Sequence, residues 1–361
     1  LIGHGHPRHR EAIARALDSG ILHTGTRLPS PERAALYHAL SKVLPVDRQT
    51  IHLANSGAEA VETAIKAAMF ATGRRRIIAF EGGYHGRTLG ALCATHAPHL
   101  REPFVPASNP WVTFCPYATR DDEAAFALQI FKNTLAAASD IAMVIVEAVQ
   151  GVSGVRGPSP VFLQGVAQAA HDCGALVIAD EIWSGLGRSG RWFAFEHAGL
   201  AFKPDIIVLG KGLSASLPLS AVAASNDVLG RWPPGLHTST FQGNPLACAA
   251  AVATLSTLRD ECLPDRAQNV LAPLMRRALE PLVGQGICRQ VKVVGAQAAI
   301  DVGNAATAQS IQRAALDQQL LVYGGGCEGE CVMLLPPLNI DTTLLQDALN
   351  IVVGLVTAAS E

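Results

Sequence analysis

The sequence predicts an α/β protein: a mostly parallel sheet covered by helices on both faces, followed by a smaller α+β domain. Two observations carry this. Up to about residue 255, short β-branched runs alternate with longer helical patterns, and the runs "IAMVIV", "ALVIA" and "IIVLG" are apolar throughout rather than at every second position. A strand that is apolar on both sides is buried on both sides, as in a parallel sheet between helices. From about residue 256 the order changes to helix, strands and helix.

The elements follow in order. "SPERAALYHALSKVLP" reads as a helix capped by Ser30, with Pro31 at the first helical position. "QTIHLANSG" is a strand and a turn, and "AEAVETAIKAAMFATG" a helix stopping near Gly73. "RRIIAF" is a strand, "DDEAAFALQIFKNTLAAA" a helix and "IAMVIVEAV" a strand. "SPVFLQGVAQAAHDCG" is a helix entered at Pro160, and "ALVIAD", "DIIVLG" and "LSAVAAS" are strands. Beyond them come a helix, "DRAQNVLAPLMRRALEPL", strands in "QVKVVGAQAAIDV", a helix, "ATAQSIQRAALDQQ", a strand, "CVMLLPPL", and a terminal helix. The expected division is an N-terminal segment 1–44 that belongs with the smaller domain, a large ligand-binding domain 45–255 and a small domain 256–361. The text opens on Leu1 in the middle of a pattern, so a preceding segment is expected.

Composition narrows the function classes. Of 361 residues, 49% are hydrophobic and 16% charged, an apolar balance that implies surface buried against another subunit. The net charge of −2 and the absence of a basic run argue against nucleic acid as a partner. No apolar run reaches the about twenty residues of a membrane span. Eight scattered cysteines without a CxxC pair read as reduced thiols in a cytoplasmic protein, and Cys327 and Cys331 are poorly spaced for zinc. His4, His6 and His9 read as part of an N-terminal turn, and no metal is expected.

The chemistry lies at strand ends. Asp180 ends one apolar strand and Lys211, thirty-one residues later, follows another. In such sheets ligands bind beyond the carboxyl ends of the strands. "NSGAEA" puts Gly57 and Ala58 at a helix start, where free amides favour a phosphate, although taken alone a tight turn capped by Ser56 is the plainer reading. The GxGxxG pattern is absent there, and "VLGKGLS" is no Walker loop. With Tyr84 in "EGGYHGRT", these are the parts needed to hold pyridoxal phosphate. The aspartate keeps the pyridine nitrogen protonated, so that the ring draws electrons, and the lysine forms the Schiff base.

The motifs "NSGAEAVETAIKAA", "YHGRT", "EAVQG", "ADEIWSGLGRSG", "LGKGLSASLPLSA" and "TSTFQGNPLA" make the chain resemble a class III (ornithine/4-aminobutyrate-type) aminotransferase of PLP fold type I. The resemblance runs from "GHGHP" to "LLPPL". It implies a mostly parallel seven-stranded sheet between helices and transfer of an amino group between an amine or amino acid and a keto acid or aldehyde. It further implies that Gly57 and Ala58 bind the phosphate, that Tyr84 and Ile182 cover the two ring faces, and that Asp180 pairs with the ring nitrogen. Lys211 is then the Schiff-base lysine and general base. Thr240 reaches the cofactor phosphate of a neighbouring subunit in a homodimer with a shared site. Arg87 matches an arginine that grips a substrate carboxylate.

The chain also departs from that family. A glutamate common after "QG" is replaced by Val152, and its arginine partner near the C-terminus by Met333. Losing both together is coherent, because either charge alone would be buried unpaired. Trp183 stands where a glutamine commonly contacts the cofactor's phenolic oxygen, so its indole N–H either substitutes or the ring shapes the substrate pocket. The resulting expectation is a substrate with a bulky or apolar body. Glu147 and Glu181 read either as anchors or as strand-end salt bridges, and Arg188 as a loop-holding ion pair. The loop "RWPPGLHTST" is short for this family. A racemase, epimerase, aminomutase or decarboxylase of the same fold, or a silent regulator, stays open on the residues alone.

Overall fold

The computed structural model describes residues 1–25, 28–106, 110–199, 201–233 and 235–360. Its larger sheet has seven strands: β1 (Thr50–Ala54), β2 (Arg76–Phe80), β3 (Val112–Cys115), β4 (Ile141–Val146), β5 (Leu176–Asp180), β6 (Ile206–Leu209) and β7 (Ser220–Ala224). They lie in the order β1-β7-β6-β5-β4-β2-β3. β7 is antiparallel to both β6 and β1, and every other neighbouring pair is parallel. The segment 210–219 between β6 and β7 is too short for a crossover helix, which leaves β7 only the antiparallel direction. β3 escapes the sequence pattern because it is a four-residue edge strand with only Cys115 buried.

Nine helices of eight or more residues surround the two sheets among the described residues: α1 (Pro7–Asp18), α2 (Pro31–Ser41), α3 (Gly57–Thr72), α4 (Asp121–Ala136), α5 (Pro160–Asp172), α6 (Pro245–Asp260), α7 (Ala272–Leu279), α8 (Ala305–Asp317) and α9 (Thr342–Ala358). The alternation of strand side chains divides the core into two layers. Met143, Ile145, Ile178 and Val208 pack with Ala60, Val61, Ala64 and Ala68 of α3. Val144, Val146 and Val177 face the other way, onto Phe131 of α4 and Phe162, Leu163 and Val166 of α5. That is why β4, β6 and β7 are buried at every position.

α6 runs unbroken through residue 255 into the C-terminal part. There a wide helical turn, Ala267–Leu271, precedes α7. Pro273 has no N–H for the carbonyl four residues back, and the backbone ladder slips at that place. The smaller sheet holds β8 (Gln290–Val293), β9 (Ala298–Asp301), β10 (Tyr323–Gly325) and β11 (Cys331–Leu334) in the order β10-β11-β9-β8, antiparallel throughout. Among the described residues no helix is long and apolar enough to cross a membrane.

Candidate active site

The parallel strands deliver their carboxyl ends to one edge of the large sheet, and the segments leaving β1, β2, β4, β5 and β6 meet there. They enclose a cavity of about 290 Å³ lined by Gly57 and Ala58, Tyr84 to Arg87, Glu147 and Val152, Asp180, Ile182 and Trp183, and Lys211. A second cleft of about 520 Å³ shares Tyr84, Arg87 and Val152 with it and reaches the loop Gly324–Gly329 of the small sheet.

The start of α3 is built by reciprocal capping. Ser56 Oγ accepts from the Glu59 amide at 3.2 Å, while Glu59 Oε2 accepts from the Asn55 backbone N–H at 2.9 Å and its Nδ2 at 3.0 Å. The amides of Gly57 and Ala58 lie in the first turn, where a helix offers them no internal acceptor, at the positive end of the helix. A Cβ on Gly57 would lie 2.9 Å from Ile182 Cδ1, so a larger residue here would push that side chain out of its place.

Asp180 is 3% exposed at the tip of β5. Its Oδ1 accepts from the Ile182 amide at 3.1 Å, and its Oδ2 lies 2.8 Å from His85 Nδ1. A carboxylate only accepts, so Nδ1 carries the proton. His85 was not singled out in the sequence, although it lies between Tyr84 and Arg87 in "YHGR"; its partner is 95 residues away. The buried ring is steadied through its backbone N–H, which donates to Thr95 Oγ1 at 2.9 Å.

Lys211 follows Gly210 at the end of β6 with φ +37°, a left-handed conformation that costs a non-glycine residue energy. Its side chain is reached by the water of the cleft, yet protein surrounds it on most sides. Burial lowers its pKa, and the charges of Asp180 and Glu147 pull it back up. The ammonium lies 5.0 Å from the centre of a Trp183 ring.

Glu147 and Glu181 are anchors. Glu147 accepts from the Tyr84 amide at 2.7 Å and the Gly151 amide at 3.3 Å. Glu181 accepts from the amides of Ala194 and Phe195, both at 2.9 Å, and from Ser184 Oγ at 2.8 Å. Burial pushes each carboxyl up to about 7. Arg188 differs from the expected ion pair. Its Nη1 donates to the carbonyls of Ala296 at 2.7 Å and Pro336 at 2.6 Å, and burial lowers its pKa to about 10. Carbonyls of the small domain, not an acid, hold that loop.

Arg87 donates through Nε to the Tyr84 hydroxyl at 3.1 Å and has no ion-pair partner among the described residues. Trp183 lines the cavity, but its indole N–H is spent on Gln297 Oε1 at 2.9 Å, so of the two expected roles the shaping one remains. Thr240 is exposed before α6 and does not line the cavity of its own chain; within the short loop ahead of it, Pro234 lies outside the described residues. Met333 is buried in β11.

Pyridoxal phosphate fits this set of groups. Free amides at a helix start suit its phosphate, a buried carboxylate with unused lone pairs suits a protonated ring nitrogen, and an amine lines the same small cavity. Tyr84 and Ile182 supply flat and apolar contact.

Residues 1–356 match the family model described as aminotransferase class-III. The chain is 38% identical to an acetylornithine aminotransferase of Methanopyrus kandleri over 97% of its own length and 85% of that protein. It is 37% identical to a diaminobutyrate–2-oxoglutarate aminotransferase of Haemophilus influenzae over 94% of its length and 80% of that one. The ornithine aminotransferase structure from Toxoplasma gondii superposes with a TM-score of 0.86 at 29% identity, covering 99% of this chain and 83% of that one. With lysine, aspartate and helix start all meeting in one cavity, the chain belongs to the class III aminotransferases, enzymes that transfer amino groups with pyridoxal phosphate.

Proposed function

We propose that this aminotransferase takes an amino acid whose carboxylate meets Arg87 and whose far end carries no charge. The observation that carries this is Arg87 itself, a guanidinium without an acid partner at the junction of the two cavities. Such a group binds a carboxylate with two parallel hydrogen bonds. Beyond it the cleft has no second arginine or lysine in its lining and a single acid, the exposed Glu328; Val152 stands between the cavities. A charged tail finds no counter-charge deep in that space. The relatives act, by name, on amino acids, which favours a carboxylate-bearing substrate over a bare amine.

Bound in the cavity, pyridoxal phosphate supplies an electrophilic aldehyde and an electron-withdrawing ring. The Lys211 amine takes the proton from the amine-bearing carbon of the substrate and gives it back on the other side of the transfer. Asp180, backed by the His85 Nδ1–H, holds the proton on the ring nitrogen. Tyr84 and Ile182 keep water from the ring faces, and the amides of Gly57 and Ala58 hold the phosphate. In a donor panel, amino acids with bulky uncharged tails should be used best. Arg87→Leu should raise their KM by about ten- to a hundredfold, the worth of a charge-assisted pair, and leave an amine without a carboxylate unaffected. Preference for bare amines, or for tails with a charge, would remove this reading.

The working unit is a homodimer with a shared site. Thr240 lies outside its own cavity, and Leu22, Leu28, Leu236 and Phe241 are exposed apolar side chains. Light scattering should give twice the mass of the chain; a monomer retaining full activity contradicts it.

A further inference from the structure

Gln297 stands directly before β9, in the small sheet, and is 0% exposed. Its backbone carbonyl closes the β8–β9 turn by accepting from the Val294 amide at 3.0 Å, a job any residue performs. Its side chain does something else. Oε1 accepts from the Trp183 indole N–H at 2.9 Å, across 114 residues of sequence. Nε2 is buried without a partner among the described residues. Turning the amide over would set two donors against each other, so its orientation is forced. An unpartnered buried amide nitrogen costs stability, and an apolar side chain of the same shape would avoid that cost. Packing of the small sheet therefore does not account for a glutamine here.

The indole that it holds is fixed on two further sides. A Cβ on Gly151 would come within 2.5 Å of Trp183 Cδ1 and Cγ, so the ring lies flush on that backbone. Gly151 is in turn tied to Glu147 Oε1. The Lys211 ammonium lies over the ring face, 5.0 Å from its centre, within the range of cation–π attraction. The indole is thus a wall against the catalytic amine, with its polar edge pinned from the small domain.

We propose that Gln297 is a positioning residue for transamination: by fixing the Trp183 indole it fixes where the Lys211 amine sits. This rests on Lys211 being the amine that moves the substrate proton, which the Lys211→Ala result tests separately. A proton-transfer group displaced by a fraction of an ångström loses rate rather than binding.

The test is a double-mutant cycle in the holoenzyme, with Gln297→Met, which keeps the shape and removes the acceptor, and Trp183→Phe, which removes the donor. Each alone should lower kcat about tenfold, the effect of one buried hydrogen bond, with KM within about twofold of the parent. The double variant should fall no further than either single one, because the second change then has nothing to break. A readout apart from activity is the indole N–H resonance of residue 183, identified among the four tryptophans by its loss in Trp183→Phe. In Gln297→Met it should move upfield and exchange with solvent at least about tenfold faster, once its acceptor is gone. If Gln297→Met unfolds the small domain, Trp183→Phe reads the same bond from the other side. A Gln297→Met effect that persists in full on the Trp183→Phe background overturns the proposal. So does an unchanged kcat alongside a shifted resonance, or a rise in KM alone.

Discussion

Lys211→Ala lowers kcat by about 10⁴-fold or more, because one side chain is lost from both covalent and proton-transfer work. The reason lies in the lining of the cavity. Lys211 and Arg87 are its only lysine and arginine, and a guanidinium stays protonated and takes up no further proton. His85 is committed through Nδ1 to Asp180, and Glu147 accepts from two backbone amides. The remaining His85 lone pair, on Nε2, is buried without a partner among the described residues, and Lys211 is the only amine in the lining. The fold should survive the change: alanine at φ +37° is no more strained than lysine, and burial already disfavours the charged amine. Borohydride treatment of the parent should fix the cofactor on the peptide that contains residue 211 and label nothing in the variant. A variant active within about tenfold of the parent, a barrier change of only about 1.4 kcal/mol, or a label on another lysine, would overturn the assignment.

Asp180→Asn comes second, with kcat falling roughly a hundred- to a thousandfold, the usual cost of removing one preorganised electrostatic contact. The substitution is nearly isosteric. The amide oxygen keeps the bond from the Ile182 N–H, and the amide N–H donates to His85 Nδ1 once the ring proton moves to the otherwise unpartnered Nε2, so the loop after β5 keeps its shape. What disappears is the negative charge at a site 3% exposed, where little water screens it. Without that charge a ring nitrogen in the cavity is no longer held protonated. The cofactor should still be retained through phosphate and lysine, so that rate falls much more than cofactor content. Unchanged turnover with full cofactor would mean that Asp180 is a structural acid of the strand end.

Much of this was written in contiguous residues. Apolar runs without alternation announced a sheet buried on both faces, and β4 is buried at all six positions. Asp180, Lys211 and Gly57 were readable because each ends or follows its own strand, and a parallel sheet must bring those ends together. Ser30 and Ser56 cap their helices as their neighbours required. Even the missing charges at Val152 and Met333 stood in the sequence, as a pair of absences.

Other features depended on distance in space. The antiparallel course of β7 follows from a short connection, and β3 is too short and too exposed at the edge to show a pattern. His85 meets Asp180, Arg188 meets the carbonyls of Ala296 and Pro336, and Trp183 meets Gln297, each across 95 or more residues. In each pair the residue types alone allowed several partners: Arg188 was as ready for an acid as for a carbonyl. Local periodicity and strand-end position are properties of a stretch of chain, so the sequence by itself determined the layers and the acid and amine at the strand ends. A buried polar group takes whichever partner the packing brings within hydrogen-bond reach, and that choice belonged to the tertiary structure.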